Sequence, residues 1–126
     1  SSVKRKKRKL YDNTLVYKNG HYEIDFEDFE KKIKKSKIFL LCSPHNPTGR
    51  VWDEDELNKM IEICLANDVV IVSDEIHADI VYEKTHHILA SFEKAQKHCV
   101  ILNAPSKTFN VAGLNTSYAI IPDDRL

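Results

Sequence analysis

The stretch VVIVSDEIHADI, Val69 to Ile80, runs four β-branched residues through one serine into an Asp-Glu pair. A continuous apolar run bounded by polar residues reads as a strand covered on both faces, the type found in parallel sheets flanked by helices. A carboxylate at the end of such a strand is costly unless a cation or several donors meet it. Asp74 therefore either answers a positive partner or merely opens a loop, and the neighbouring segments decide which.

Outward from this run, strand and helix patterns alternate. Upstream, DEDELNKMIEICLAND (Asp53–Asp68) is the clearest helix. Asp53 can cap it, Glu56 completes an acidic capping box, and Leu57, Met60, Ile61, Cys64 and Leu65 form one apolar stripe that reads as core. KIFLLC (37–42) is another short apolar run covered on both faces, followed by the turn-rich SPHNPTGR (43–50). Downstream, CVILN (99–103) and TSYAII (116–121) read as further strands, with a short helix expected around 91–97. Nearer the start, LVYKNGHYEI carries a Lys-Asn-Gly turn between β-prone runs, a hairpin signal. DFEDFEKKIKK then offers Asp25 as an N-cap and Phe26, Phe29 and Ile33 at helical spacing. Strands separated by helices predict an α/β fold, a doubly wound and mostly parallel sheet with helices on both faces.

Composition narrows the functional classes. The 126 residues suit one domain with a modest core, and 42% hydrophobic content is globular. Nineteen basic and nineteen acidic residues cancel, so the overall balance gives no case for nucleic acid or membrane partners. KRKKRK (Lys4–Lys9) is a local basic run, but it lacks interleaved aromatics and reads as a solvated edge or frayed end. A nucleic-acid binder using that run would lose affinity steeply with salt, and nothing else in the chain supports it. No apolar segment reaches the roughly 18–20 residues of a bilayer span, and no secretory signal is evident. Three cysteines, Cys42, Cys64 and Cys99, lack metal spacing and read as reduced thiols of a cytoplasmic protein. The six histidines form no ligand set, and the pair at 86–87 reads as surface. No metal site is expected.

Ligands of doubly wound sheets bind beyond the carboxyl ends of the strands. Three successive predicted strands end in unusual polar loops: SPHNPTG, SDEIH and NAPSKTFN. If those strands are neighbours, Asn46, Asp74 and Lys107 converge on one crevice, and Asp74 meets either Lys107 or a ligand's cation.

The motifs SPHNPTGRVW, VSDEIHADIVY and APSKTFNVAGL closely resemble those of fold type I pyridoxal-phosphate-dependent enzymes. Within that group the chain is most similar to the cystathionine β-lyase or C–S lyase branch (the MalY/PatB type) of the class I/II aminotransferases, from about Tyr11 onward. The resemblance implies pyridoxal phosphate as cofactor and Lys107 as the catalytic lysine that forms the Schiff base and removes the substrate's α-proton. It implies Asp74 as partner of the pyridine nitrogen and Asn46 as donor to the ring's phenolic oxygen. Pro47 and Gly49 shape that loop. The resemblance also implies that His77 approaches the same oxygen or the ring face, and it makes Ser106 a candidate phosphate contact. Glu75 is expected to point elsewhere, capping or facing solvent.

Some family features are absent. Ala104 and Asn115 stand where relatives often carry a phosphate-binding serine and a basic residue. The N-terminal phosphate loop and the C-terminal small domain with its carboxylate-gripping arginine also have no counterpart, and Arg50 and Arg125 stand in the wrong places to substitute. The expectation is a partial large domain spanning 1–126 whose parent is a homodimeric lyase of sulfur amino acids. Its products would be pyruvate, ammonia and a thiol, and the piece alone is expected to be inactive. The alternatives are an aminotransferase using the same Asn46, Asp74 and Lys107, or a non-catalytic fragment.

Overall fold

The computed structural model describes residues 2–126, the side chains of Ser2 and Lys4 excepted. The chain divides into two compact units, 1–36 and 37–126.

The first unit opens with one helical turn, α1 (Ser2–Arg5), followed by exposed basic residues from Arg5 to Lys9, as a solvated run requires. The side chain of Lys4 lies outside the described residues. Strands β1 (Val16–Lys18) and β2 (His21–Glu23) pair antiparallel. Asn19 and Gly20 between them have φ of 48° and 86°, the left-handed pair that an Asn-Gly hairpin turn accommodates. Helix α2 (Phe26–Ile33) starts where Asp25 accepts a hydrogen bond from the Asp28 amide, and it buries Phe29 and Ile33. Asn13 donates to the Asp28 carboxylate at 2.8 Å, which ties the entry segment to the helix.

The second unit carries a four-stranded sheet in the order β3 (Ile38–Cys42), β4 (Val70–Asp74), β5 (Cys99–Asn103), β6 (Tyr118–Ile120). The first three strands are parallel and β6 runs antiparallel to β5, giving the mostly parallel α/β sheet expected. Helix α3 (Glu54–Ala66) connects β3 to β4 and packs on β4. Its capping box is reciprocal: Asp53 accepts from the Glu56 amide at 2.8 Å, and Glu56 from the Asp53 amide at 3.0 Å. In place of a helix at 91–97 there are two 3₁₀ stretches, Leu89–Ser91 and Glu93–His98.

Register fixes which side chains share a face. Leu41, Ser73 and Ile101 lie in one row and Phe39, Ile71 and Cys99 in the next, and this face meets the buried α3 stripe of Leu57, Met60, Ile61 and Cys64. The opposite face is open. Ile38 is 57% exposed, Leu40 59% and Leu102 40%. The apolar runs of β3 and β4 had implied cover on both sides, but α3 and the 3₁₀ turns supply apolar side chains to one side only.

Candidate functional site

Cys42, Asp74 and Leu102 are register partners at the carboxyl ends of three adjacent parallel strands. The loops that follow carry Asn46, His77 and Lys107, so all three leave the same edge of the sheet with Asp74 on the central strand. Backbone bonds lock the strand ends: the Ser43 amide donates to the Asp74 carbonyl at 3.0 Å, and the Glu75 amide to the Leu102 carbonyl at 2.9 Å.

The loop bearing Asn46 is closed upon itself. His45 N donates to the Arg50 carbonyl at 2.7 Å and Gly49 N to the His45 carbonyl at 2.8 Å. Gly49 has φ of 72°, a conformation that disfavours any side chain. The Cys42 thiol donates to the Pro44 carbonyl at 3.3 Å and lies 3.5 Å from the Asn46 amide, which donates to it. Trp52, fully buried, donates its indole N–H to the Cys42 carbonyl at 2.9 Å. Arg50 pairs with Glu56 and stacks over Trp52 at 4.7 Å, so the loop is anchored to the cap of α3. Asn46 itself is exposed at the tip.

Asp74 shares the open face with Cys42. Burial raises the Cys42 thiol pKa, and the Asp74 charge adds to that rise while the Asn46 amide opposes it. Asp74 is exposed, not buried as expected for a charge at the end of a core strand. Its Oδ1 accepts from the Ile76 amide at 3.2 Å, and among the described residues it forms no ion pair. The carboxylate is thus met by water and one amide, with capacity for a cation.

The buried acid is its neighbour. Glu75 is 2% exposed and accepts three hydrogen bonds. Oε1 accepts from Ser73 Oγ at 3.1 Å and from the Leu89 amide at 3.0 Å, and Oε2 faces His86 Nε2 at 2.8 Å. The His86 side chain is only 7% exposed. These positions correct two expectations, a solvent-facing or capping Glu75 and a surface His86. The physical reason is parity: Ile71, Ser73 and Glu75 continue one face past the strand end, and Asp74 falls on the other.

Lys107 stands exposed on a turn closed by Phe109 N to the Pro105 carbonyl (3.0 Å) and Val111 N to the Ser106 carbonyl (3.1 Å). Its amine has no hydrogen bond or ion pair among the described residues. Ser106 is half-buried beside it. His77, also half-buried, lies in a turn where its carbonyl accepts from the Ile80 amide at 2.9 Å. Asp79 Oδ2 accepts from Thr108 Oγ1 at 2.7 Å, bridging the loops after β4 and β5. Arg50 is engaged by Glu56, and Arg125 by Asp123 through two contacts at 2.6 and 2.8 Å, so neither guanidinium is free for a substrate carboxylate. Among the described residues no group of three His, Cys, Asp or Glu could hold a metal, and no helix is long and apolar enough to cross a membrane.

The Asn46 amide, the Asp74 carboxylate and the Lys107 amine thus leave one edge of the sheet, the last two without an ion pair among the described residues. The model of the aminotransferase class I and II family matches residues 6–126, and the chain belongs to that family. Cystathionine beta-lyase PatB of Bacillus subtilis (strain 168) is 46% identical over 96% of this chain. Cystalysin from Treponema denticola, whose crystal structure contains pyridoxal 5′-phosphate, superimposes on 97% of it with TM-score 0.92 and 43% identity. The PLP-bound C–S lyase from Staphylococcus hominis covers 98% with TM-score 0.92 and 36% identity. The chain spans about a third of the length of each: 32%, 32% and 33%.

Proposed function

We propose that this chain is the central part of the large domain of a pyridoxal-phosphate-dependent C–S lyase. That enzyme would act on sulfur amino acids of the cystathionine or cysteine-conjugate type. The observation that carries the reading is Asp74, an unpaired carboxylate ending the central strand between the loops of Asn46 and Lys107. The residues fit the cofactor by the chemistry of the donor set, with an acid for the pyridine nitrogen, an amide for the phenolic oxygen and an amine for the aldehyde carbon.

When bound, pyridoxal phosphate supplies the electron sink. Asp74 would keep the ring nitrogen protonated, since a nearby anion favours the charged form. Asn46 would donate to the phenolic oxygen, with His77 at the same oxygen or the ring face. Ser106 would donate its hydroxyl to the phosphate. Lys107 would hold the cofactor through its amine, and that amine, when free, would be the base for the substrate's Cα proton. Elimination across Cα and Cβ would then send the Cβ–S electron pair out on sulfur, the lost α-proton having been taken by the lysine amine. Hydrolysis yields pyruvate and ammonia beside the thiol.

The whole protein is read as a cytoplasmic homodimer whose other segments bind the phosphate and the substrate carboxylate. The experiment is an assay of the full-length protein with pyridoxal phosphate and a cysteine thioether. Release of thiol and pyruvate in equal amounts supports the lyase. A keto acid without thiol would mark an aminotransferase using the same three residues, and neither product would mark a non-catalytic protein.

A further inference from the structure

The turn that carries Lys107 is closed by its own backbone bonds, which fix its shape but not its placement against the Asp74 side of the crevice. Among the described residues, the side-chain hydrogen bond between the 75–88 loop and the 104–115 loop is Thr108 Oγ1 to Asp79 Oδ2, at 2.7 Å. Both of its ends are stiff. Thr108 follows Lys107 directly, and its β-branched side chain has few rotamers. Asp79 sits in the turn that begins at the buried Glu75. There Ala78 N donates to the Glu75 carbonyl and Ile80 N to the His77 carbonyl, each at 2.9 Å. Glu75 is in turn held by Ser73, His86 and the Leu89 amide. A rigid path therefore runs from the end of β4 through Asp79 to the residue beside the amine, and the same turn carries His77.

We propose that Asp79 is a positioning residue for Lys107: by accepting from Thr108 it sets where the amine stands relative to Asp74 and His77. The inference rests on the pyridoxal-phosphate reading given above. The tie has the features of a useful positioner. It is charge-assisted and short, and it acts on the residue adjacent to the one that must meet the cofactor's carbon. The side-chain bond of Asp79 is to Thr108, so the role assigned to it is indirect. Misplacing a reacting group by even a small distance lowers the fraction of encounters that succeed, which makes bond formation and retention at Lys107 sensitive to it.

The test uses the full-length holoenzyme and reads cofactor retention. Holoenzyme is diluted into a scavenger of free pyridoxal phosphate, and the yellow absorbance of the lysine-bound cofactor is followed in wild type, Thr108→Val, Thr108→Ser, Asp79→Ala and the Asp79→Ala/Thr108→Val double variant. Loss of the bond is expected to release cofactor about fivefold faster in Thr108→Val and in Asp79→Ala, the scale of one hydrogen bond. Thr108→Ser keeps the hydroxyl and is expected within about twofold of wild type, and the double variant is expected to match the singles because they remove one interaction. Unchanged release in both single variants, or a double variant equal to the product of the two effects, overturns the proposal. A wild type with no yellow lysine-bound band overturns the underlying cofactor reading instead, and this inference falls with it. If Thr108→Val does not fold, the exposed Asp79→Ala against the conservative Thr108→Ser decides the matter.

Discussion

Replacing Glu75 with alanine removes the acceptor for three donors at once: Ser73 Oγ, the Leu89 amide and His86 Nε2. The serine hydroxyl can rotate toward another acceptor, so the amide and the imidazole set the cost. An orphaned buried donor costs about 1–3 kcal/mol, which gives roughly 2–6 kcal/mol before any cavity contribution. Against a typical domain stability of about 5–15 kcal/mol this is a large fraction. Glu75→Gln separates charge from shape. The amide oxygen can serve Ser73 and Leu89 while the NH₂ faces His86, whose Nε2 must then accept. That tautomer places the ring N–H on Nδ1, which is buried and has no partner in the present arrangement. The Nδ1–H and the second amide hydrogen are then both without an acceptor, so Gln is expected to cost about 2–6 kcal/mol and to fall below Ala only by the cavity that Ala leaves. Urea unfolding followed by the fluorescence of the single, buried Trp52 measures both variants. An alanine variant within about 0.5 kcal/mol of wild type, the range of ordinary surface changes, would refute the reasoning.

Other predictions follow from the same packing. Burial pushes the Cys64 thiol up to about 12 and, with help from the Glu75 charge, the Cys99 thiol up to about 11. An alkylating agent at mildly alkaline pH should therefore label Cys42, the least buried thiol, before unfolding and the other two only after it, as peptide mapping would reveal. Asp53→Ala removes one half of the capping box and should lower stability by about 1 kcal/mol in the same urea assay, with no change in m. Burial holds the His45 imidazole below its ordinary value, so the unfolded chain binds the proton first as pH falls. That contribution is intact above about pH 6.5 and declines as acidification proceeds through the lower folded value. Unfolding midpoints on either side of that range should fall less on acidification in His45→Gln than in wild type.

Much of this architecture was legible because local signals agreed with one another. The Asn-Gly hairpin, the Asp25 cap, the Asp53–Glu56 box and the α3 stripe all sit where spacing put them. Their causes lie within a few residues of each other. The misreadings have other causes. A run such as VVIV is apolar at both parities, so it carries no information about which face the chain itself will cover, and Ile38 and Leu40 proved exposed. The Asp-Glu pair was assigned by motif rather than parity, although the alternation of 71, 73 and 75 pointed to Glu75 as the inward acid. His86 gave no local sign of burial. Its partner is 11 residues away, across a loop with no period to read. Thr108 and Asp79, separated by 29 positions, were equally invisible until the order of β4 and β5 brought their loops together.

The most direct measurement is to treat the pyridoxal-phosphate-loaded protein with borohydride, which makes any lysine–cofactor bond permanent, and then to map the labelled peptide. The account predicts the pyridoxyl group on the lysine of APSKTF, with no stoichiometric label left in Lys107→Ala. Equal labelling of that variant, or label spread over the lysines of the basic run, would contradict it.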